Sequence, residues 1–364
     1  MGVTKPRVLI RTAVIMALLA GACSDSGTRE NVPVPAAVVP NAGYATVSTA
    51  VEISGTKFLA KATQQSSGGS SPLDTTHRAW LGSVELTGVT WVDASKLTAT
   101  VPAGLPLGAQ KLTVENAFGE QGTLDNAFTV LAAPAFSATV SVDRTTVNVG
   151  QPFALTLALA NDGGAEVNAI TLGEPALSPS GLATVSGGPT PPSPGTLALG
   201  GSQSFVWALK GAARGLLTAT FSATTGKDAV LSSALTATPP ASVQVTVQDP
   251  AAIDATLSIP QSVAVNADFT VTMTVTNTGE ADARAVTPGA LSVVAPVAGG
   301  AVPKSGPTPA SALATGGQPV TFKWTYTATE PGSFSLAGGA SGTDGNTDSR
   351  VEATAAISGS INVQ

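Results

Sequence analysis

The chain has one cysteine, one histidine and few charged or aromatic side chains, and each shortage removes a class of chemistry. Cys23 is the only thiol, so no disulfide can form within the chain and the folded part must hold together by packing. One histidine without a second thiol cannot build an ordinary zinc site. A Ser-His-Asp system has only His77 to use, and no G-x-S-x-G elbow occurs. His77 follows a Ser- and Gly-rich loop and reads as a solvated loop residue. Gly226-Lys227 runs into Asp228 instead of Ser or Thr, so it is not a phosphate loop. No catalytic residue is identified, and the chain reads as non-enzymatic. Charged residues are 11% of the chain, against about a quarter in ordinary globular proteins. Lys and Arg form no cluster, which argues against nucleic acid as a partner. Aromatics are 4%, which leaves few rings to stack on sugars.

What is present begins with an export signal. Lys5, Arg7 and Arg11 precede an apolar run from Thr12 to Ala22. Its 11 residues fall short of the roughly 20 that span a bilayer, so the segment reads as a secretory signal peptide. The run ends in Leu18-Leu19-Ala20-Gly21-Ala22-Cys23 and resembles a bacterial lipoprotein signal. That resemblance implies cleavage before Cys23, acylation of its thiol with palmitate-type chains, and membrane attachment through the lipid. Residues 1–22 are then the signal peptide, and 23–35 are the lipidated Cys and a flexible tether. Ser24 and Asp25 favour sorting to the outer membrane, with surface exposure open. Loss of 1–22 removes three positive charges and no negative ones, so a net charge of −6 becomes −9.

Hydrophobic residues at 43% suffice for real cores, and 364 residues suit two or three domains. Residues 36–131 read as short strands separated by Gly, Pro and Asn turns, with no helical periodicity, which predicts a β-sandwich. The Gly55/Phe58 pair, Leu81-Gly82, the Leu97–Pro102 strand, Gly108, Leu112-Thr113-Val114 with Asn116 and Gly119, and Phe128-Thr129-Val130 resemble an IPT/TIG domain, an immunoglobulin-like fold. Gly55 is expected to permit a turn and Phe58 to plug the end of the sandwich. A long loop, 62–76, reads as a binding loop or an insertion.

From Pro134 the chain repeats. Ala138–Val142 recurs 117 residues on as Ala255–Ile259, and Phe153–Leu159 recurs 116 on as Phe269–Val275. Asn161 with Gly163 recurs as Asn277 with Gly279. Gly188-Pro189-Thr190-Pro191 recurs as Gly306-Pro307-Thr308-Pro309, and Phe205-Val206-Trp207 as Phe322-Lys323-Trp324. One period over so many landmarks means two copies of one domain, 134–249 and 250–364. Each copy alternates with period 2: Phe153, Leu155, Leu157 and Leu159 share one face, while Thr270, Thr272, Thr274 and Thr276 line the outer face of the second copy. Trp207 and Trp324 are expected between the sheets, and the Asn-x-Gly that ends each strand is expected to make a tight turn with positive φ. An alternating strand ending in Asn-x-Gly resembles the CARDB-like adhesion-related modules. The fold class is therefore all-β: three tandem immunoglobulin-like sandwiches, joined by the short links Ala132-Ala133-Pro134 and Gln248-Asp249-Pro250.

Candidate sites are few. Asp344, Asn346 and Asp348 alternate as in the first half of a calcium loop, although Ser349 replaces its glycine and Ala355 its bidentate Glu. A polar hairpin turn accounts for the same residues, and the corresponding turn of the first copy, around Thr225 to Asp228, reads as lacking the acids. No metal or other cofactor is assigned beyond this calcium candidate. Trp80 and Trp91 are the candidates for a sugar platform, with core packing as the competing reading. The expected function is a cell-envelope lipoprotein with an adhesive or structural role, its partners the membrane and a polysaccharide or surface protein. The alternative is an accessory carbohydrate- or protein-binding module that serves an enzyme.

Overall fold

The computed structural model describes residues 31–62, 72–237, 242–294 and 299–364. The signal-peptide and lipidation readings, Cys23 included, lie outside the described residues, as does most of the 62–76 loop. The described part is all-β and divides into two compact units. The described residues within Met1–Asn41, Ser48–Pro102 and Ala109–Thr129 make the first; those within Ala42–Val47, Ala103–Gly108 and Val130–Gln364 make the second.

The first sandwich has a four-stranded sheet in the order Val34–Val39, Thr49–Thr56, Lys96–Val101, Thr87–Asp93. Its five-stranded sheet runs Ala42–Tyr44, Gln121–Leu131, Gly108–Glu115, Arg78–Leu81, Val84–Glu85. The first strand starts at Val34, slightly before the expected end of the tether. Residues ahead of it are tied in, because the Asn116 side chain donates to the carbonyl of Asn31. Ile53, Phe58, Leu81, Leu97, Leu112 and Phe128 are fully buried between the sheets. Gly55 is needed for close approach and not for a turn. A Cβ there would stand 2.4 Å from the Val34 carbonyl oxygen and 2.6 Å from the Phe58 ring. The residue with positive φ is Lys57.

Each repeat has one core and three sheets. In repeat 1 the first sheet is Phe136–Val142, Pro152–Asn161, Ser202–Gly211, Ala183–Thr190. The second is Thr146–Asn148, Val243–Gln248, Gly215–Phe221, Pro175–Ser178, and the third is Thr196–Leu197, Val167–Thr171, Thr225–Asp228, Ala234–Thr236. Repeat 2 has the same plan, with Asp268–Asn277 beside Pro319–Glu330 at its centre. The alternation drives this packing: Phe153, Leu155, Leu157 and Leu159 are all buried against Phe205, Trp207 and Leu209. Trp207 lies 4.9 Å from Phe221, ring centre to ring centre. Phe322 and Trp324 are buried in the same places of repeat 2.

Two of the three sheets in each repeat are one sheet broken by a bend. In repeat 1 the break falls at residues 222–224, where the hydroxyl of Thr224 accepts from Gly173 N and that of Ser222 from Glu174 N. The chain therefore leaves the core face and returns as Thr225–Asp228, which carries Asp228 to one end of the sandwich. The short strand Thr146–Asn148 pairs in parallel with Val243–Gln248, and Ser262–Val263 pairs in parallel with Ile361–Val363.

The Asn-x-Gly segments differ from the expected positive-φ turn. Asn161 and Asn277 are buried, and each amide donates to backbone carbonyls of the following loops, Ala165 and Leu197 in one case, Ala281 and Ala314 in the other. Their side-chain oxygens accept from Gly163 N and Gly279 N. Neither glycine has positive φ. Each is small so that the backbone can approach: a Cβ on Gly163 would sit 2.4 Å from Ala135 N, and one on Gly279 would sit 2.0 Å from the Pro250 carbonyl oxygen. The motif therefore pins the loop to the start of its own repeat.

Candidate functional site

The densest polar cluster of the second compact unit lies where repeat 1 meets repeat 2, and its centre is Asp344. The strand Ala340–Asp344 delivers this residue to the end of repeat 2, where it is only 1% exposed. One carboxylate oxygen accepts from the Asn148 side-chain amide at 2.8 Å, from Asn346 N and Thr347 N at 2.9 Å, and from the Thr347 hydroxyl at 3.0 Å. The other accepts from Ala251 N at 2.7 Å. Asn148 belongs to repeat 1, so the carboxylate bridges the two copies. Asn346 completes the bridge. Its amide donates to the side-chain oxygens of Asn148 at 2.6 Å and Gln248 at 3.0 Å, and its carbonyl accepts from the Gln151 side chain at 3.0 Å.

Burial alone would push the Asp344 carboxyl up. The N–H donors of Ala251, Asn346, Asn148 and Thr347 outweigh it and hold the group below its ordinary value of 3.8. A buried carboxylate with its oxygens engaged by donors stabilises; take the acceptor away and several buried N–H groups lose their partner together. Exposed ion pairs add little: Arg214 reaches Asp249 at 3.6 Å and Glu280 at 3.5 Å, but in contact with water. A cleft of about 500 Å³ opens beside the cluster, lined by Gly150, Pro152, Pro250, Arg350 and Val351 among others.

The residues singled out for calcium are thus partly brought together and partly not. Asp344 and Asn346 face Asn148, and they meet it through N–H donors. Asp348 is exposed, with φ at 57°, and serves the turn through its N–H to the Asp344 carbonyl at 2.9 Å. No group of three or more His, Cys, Asp or Glu is placed to share a metal ion among the described residues.

The reading that repeat 1 lacks the acid is corrected by the register. Val167 pairs with Asp228 as Ala283 pairs with Asp344, so these two aspartates are equivalent. Asp228 is 1% exposed, and its carboxylate accepts from Leu231 N at 2.7 Å, Ser233 N at 2.6 Å, Val230 N at 3.1 Å and the Tyr44 hydroxyl at 2.7 Å. Both Tyr44 and Asp228 fall in the second compact unit. Burial and the Asp228 hydrogen bond push the Tyr44 phenol well above its ordinary value, so it stays a donor. Asn148, Gln151, Gln248 and Tyr44 were not singled out in the sequence, and Asp228 was named only within a turn read as lacking the acids. The 116-residue offset between Asp228 and Asp344 is the one signal that points to any of them.

In the first unit, Trp80 is half-buried and the Arg78 guanidinium lies over its ring at 4.7 Å, held by Glu85 at 2.7 and 2.8 Å. Trp91 is also half-buried and donates through Nε1 to the Phe58 carbonyl at 2.6 Å. His77 is buried, not solvated: it lies just past the paired strands Lys61–Ala62 and Leu73–Asp74, with its Nδ1 2.9 Å from the Thr75 carbonyl oxygen.

No protein-family model matches the chain, and no curated protein matches it. Among solved structures, similarity is found to FdeC, an adhesin of Escherichia coli, at 14% identity over 92% of this chain and 98% of that one, with a TM-score of 0.36. InvD of Yersinia pseudotuberculosis gives 13% identity over 89% and 97%, with a TM-score of 0.36. The fibronectin(III)-like modules of Clostridium thermocellum CbhA give 12% over 62% and 94%, with a TM-score of 0.23. The assignment as tandem immunoglobulin-like sandwiches rests on the sheet topology described above.

Proposed function

We propose that this chain is an exported, non-enzymatic structural and adhesive protein of the cell envelope, anchored by lipid on Cys23, whose repeats act as a stiff spacer. The observation that carries this reading is the buried Asp344 cluster, in which repeat 1 supplies the Asn148, Gln151 and Gln248 side chains to the turn of repeat 2. A freely swivelling string of beads has no use for a desolvated carboxylate at its joint, whereas a protein that must hold a surface at a fixed separation does. The partners this reading calls for are the membrane at one end and a polysaccharide or surface protein at the other.

The test has two arms. Cells producing the full chain or its Cys23→Ala variant are fractionated, and the purified chain is mixed with insoluble polysaccharides, peptidoglycan and whole cells. The reading expects membrane association that Cys23→Ala abolishes, and retention on one of the materials without its degradation. Identical fractionation of the two chains, or release of soluble products from the material, contradicts it.

A further inference from the structure

The two buried aspartates sit in the same backbone frame. Asp228 N donates to the Ser233 carbonyl and Asp344 N to that of Ser349, at 3.1 and 2.8 Å. Ser232 N and Asp348 N return to the carbonyls of their aspartates at 3.1 and 2.9 Å, and both residues have φ of 57°. The donors that reach them are equivalent too. Ala45 N bonds the Leu131 carbonyl, Val149 N that of Gln248, and Val265 N that of Gln364, at 2.9, 2.8 and 2.9 Å. These three bonds put Tyr44, Asn148 and Ala264 at one position, the last residue of the short strand in the first two sandwiches and the residue just past it in the third. In the same frame Leu131, Gln248 and Gln364 correspond. So do Val47, Gln151 and Ala267, each of which donates its N–H to the carbonyl of the first set at 3.2, 3.0 and 3.1 Å.

The side chains at these positions change together. Tyr44, Leu131 and Val47 offer one hydroxyl donor in apolar company, and the turn that Tyr44 reaches carries Val230. Asn148, Gln248 and Gln151 offer amides that both donate and accept, and the turn they reach carries Asn346 at the place of Val230. In repeat 2 the same frame holds Ala264, Ala267 and Gln364, of which Gln364 alone has a polar side chain. A common aspartate supplies the attachment, and the residue two places later differs with the partner that reaches the turn. An amide at the Val230 place would find one hydroxyl and no second amide, and a valine at the Asn346 place would bury the oxygens of Asn148 and Gln248 without a donor.

We propose that these positions form a pairing rule that sets which sandwich can precede which repeat: an apolar turn residue takes the tyrosine end, and an amide takes the asparagine–glutamine end. The rule rests on the spacer reading above, since it specifies the joint on which that reading depends.

The test is amide hydrogen exchange on the full chain, read at Leu231 N and Ala251 N, which donate to Asp228 and Asp344. Leu157 and Met273, central in their cores, report that each repeat remains folded. The double exchange Val230→Asn with Asn346→Val keeps both aspartates and the overall composition. The rule expects exchange at both joint amides to quicken by about tenfold or more, the equivalent of one lost hydrogen bond, with Leu157 and Met273 unchanged. Restoring either position singly is expected to restore protection at that joint alone. Full protection in the exchanged chain overturns the rule and leaves the spacer reading standing. Unchanged protection at Ala251 in Asp344→Asn instead strikes the spacer reading itself. If Leu157 or Met273 also loses protection, Tyr44→Phe and Asn148→Ala decide: the rule requires the first to act at Leu231 only and the second at Ala251 only, and any other pattern overturns it.

Discussion

Repeat 1 closes its Asp228 turn with Val230 and receives a phenol; repeat 2 closes its Asp344 turn with Asn346 and receives a carboxamide. Between those ends the copies differ little. Both stack a Phe/Leu- or Val-lined strand against a Phe-x-Trp strand, and both pin an Asn-x-Gly loop to their own first residues. The interior has been kept and the ends have been individualised. Core packing needs only volume and alternation, which tolerate Leu157 against Met273 or Leu209 against Tyr326. A joint needs specific donors matched to specific acceptors, because a buried polar group without its partner costs more than an apolar one.

The largest break in that likeness comes from inside. Trp207→Ala empties a fully enclosed site and should cost about 3–5 kcal/mol, unfolding repeat 1 in denaturant well before repeat 2. Trp324→Ala should do the converse, and circular dichroism with one transition lost and one kept would show it. Next stands Gly279→Ala, whose Cβ would overlap the Pro250 carbonyl and should cost about 2–3 kcal/mol, against almost nothing for Gly195→Ser, whose site is open and whose φ is not positive. Asp344→Asn should cost about 2 kcal/mol, since the replaced group accepts as a charge. Its pH dependence follows from the lowered carboxyl. The ionised group stabilises at pH above 3.8, and that contribution disappears as pH falls through its lower folded value. The melting difference between wild type and Asp344→Asn should therefore be constant from pH 7 to 5 and close only in strong acid.

The parts that sequence made visible and those it concealed divide along the same line. Phe153–Leu159 and its copy announce themselves because alternation reports burial directly, and Trp207 and Trp324 follow from the shared period. The aspartate pair escaped because the residues after it diverge: Ala229-Val230-Leu231-Ser232-Ser233 in repeat 1 against Gly345-Asn346-Thr347-Asp348-Ser349 in repeat 2. Aligned on acids, the repeat 2 segment resembles a metal loop and the repeat 1 segment has nothing to match it. Aligned on backbone hydrogen bonds, they coincide. Tyr44, Asn148 and Ala264 share no chemistry, so only register relates them. Gly55, Gly163 and Gly279 illustrate a subtler ambiguity: a glycine that admits a neighbouring backbone and one that makes a turn are the same letter.

Smaller effects are expected at the residues that differ between the two turns. Asn346→Ala should weaken the joint by about 1 kcal/mol, and Val230→Ala by less, because the first removes hydrogen bonds and the second only partly buried methyl groups. Smallest of all is calcium. With Asp344 already engaged by N–H donors, millimolar calcium against chelator should leave calorimetric melting unchanged; a rise in melting temperature that Asp348→Ala removes would restore the ion-binding reading.

The most direct measurement is the spread of distances between spin labels on repeat 1 and repeat 2. Val185 and Val302 are 46% and 51% exposed, and each can carry a label as cysteine in a Cys23→Ser chain. A joint held by Asp344 gives a single narrow distribution that Asp344→Asn broadens. A broad distribution in the parent chain, or a narrow one that survives the substitution, would contradict it.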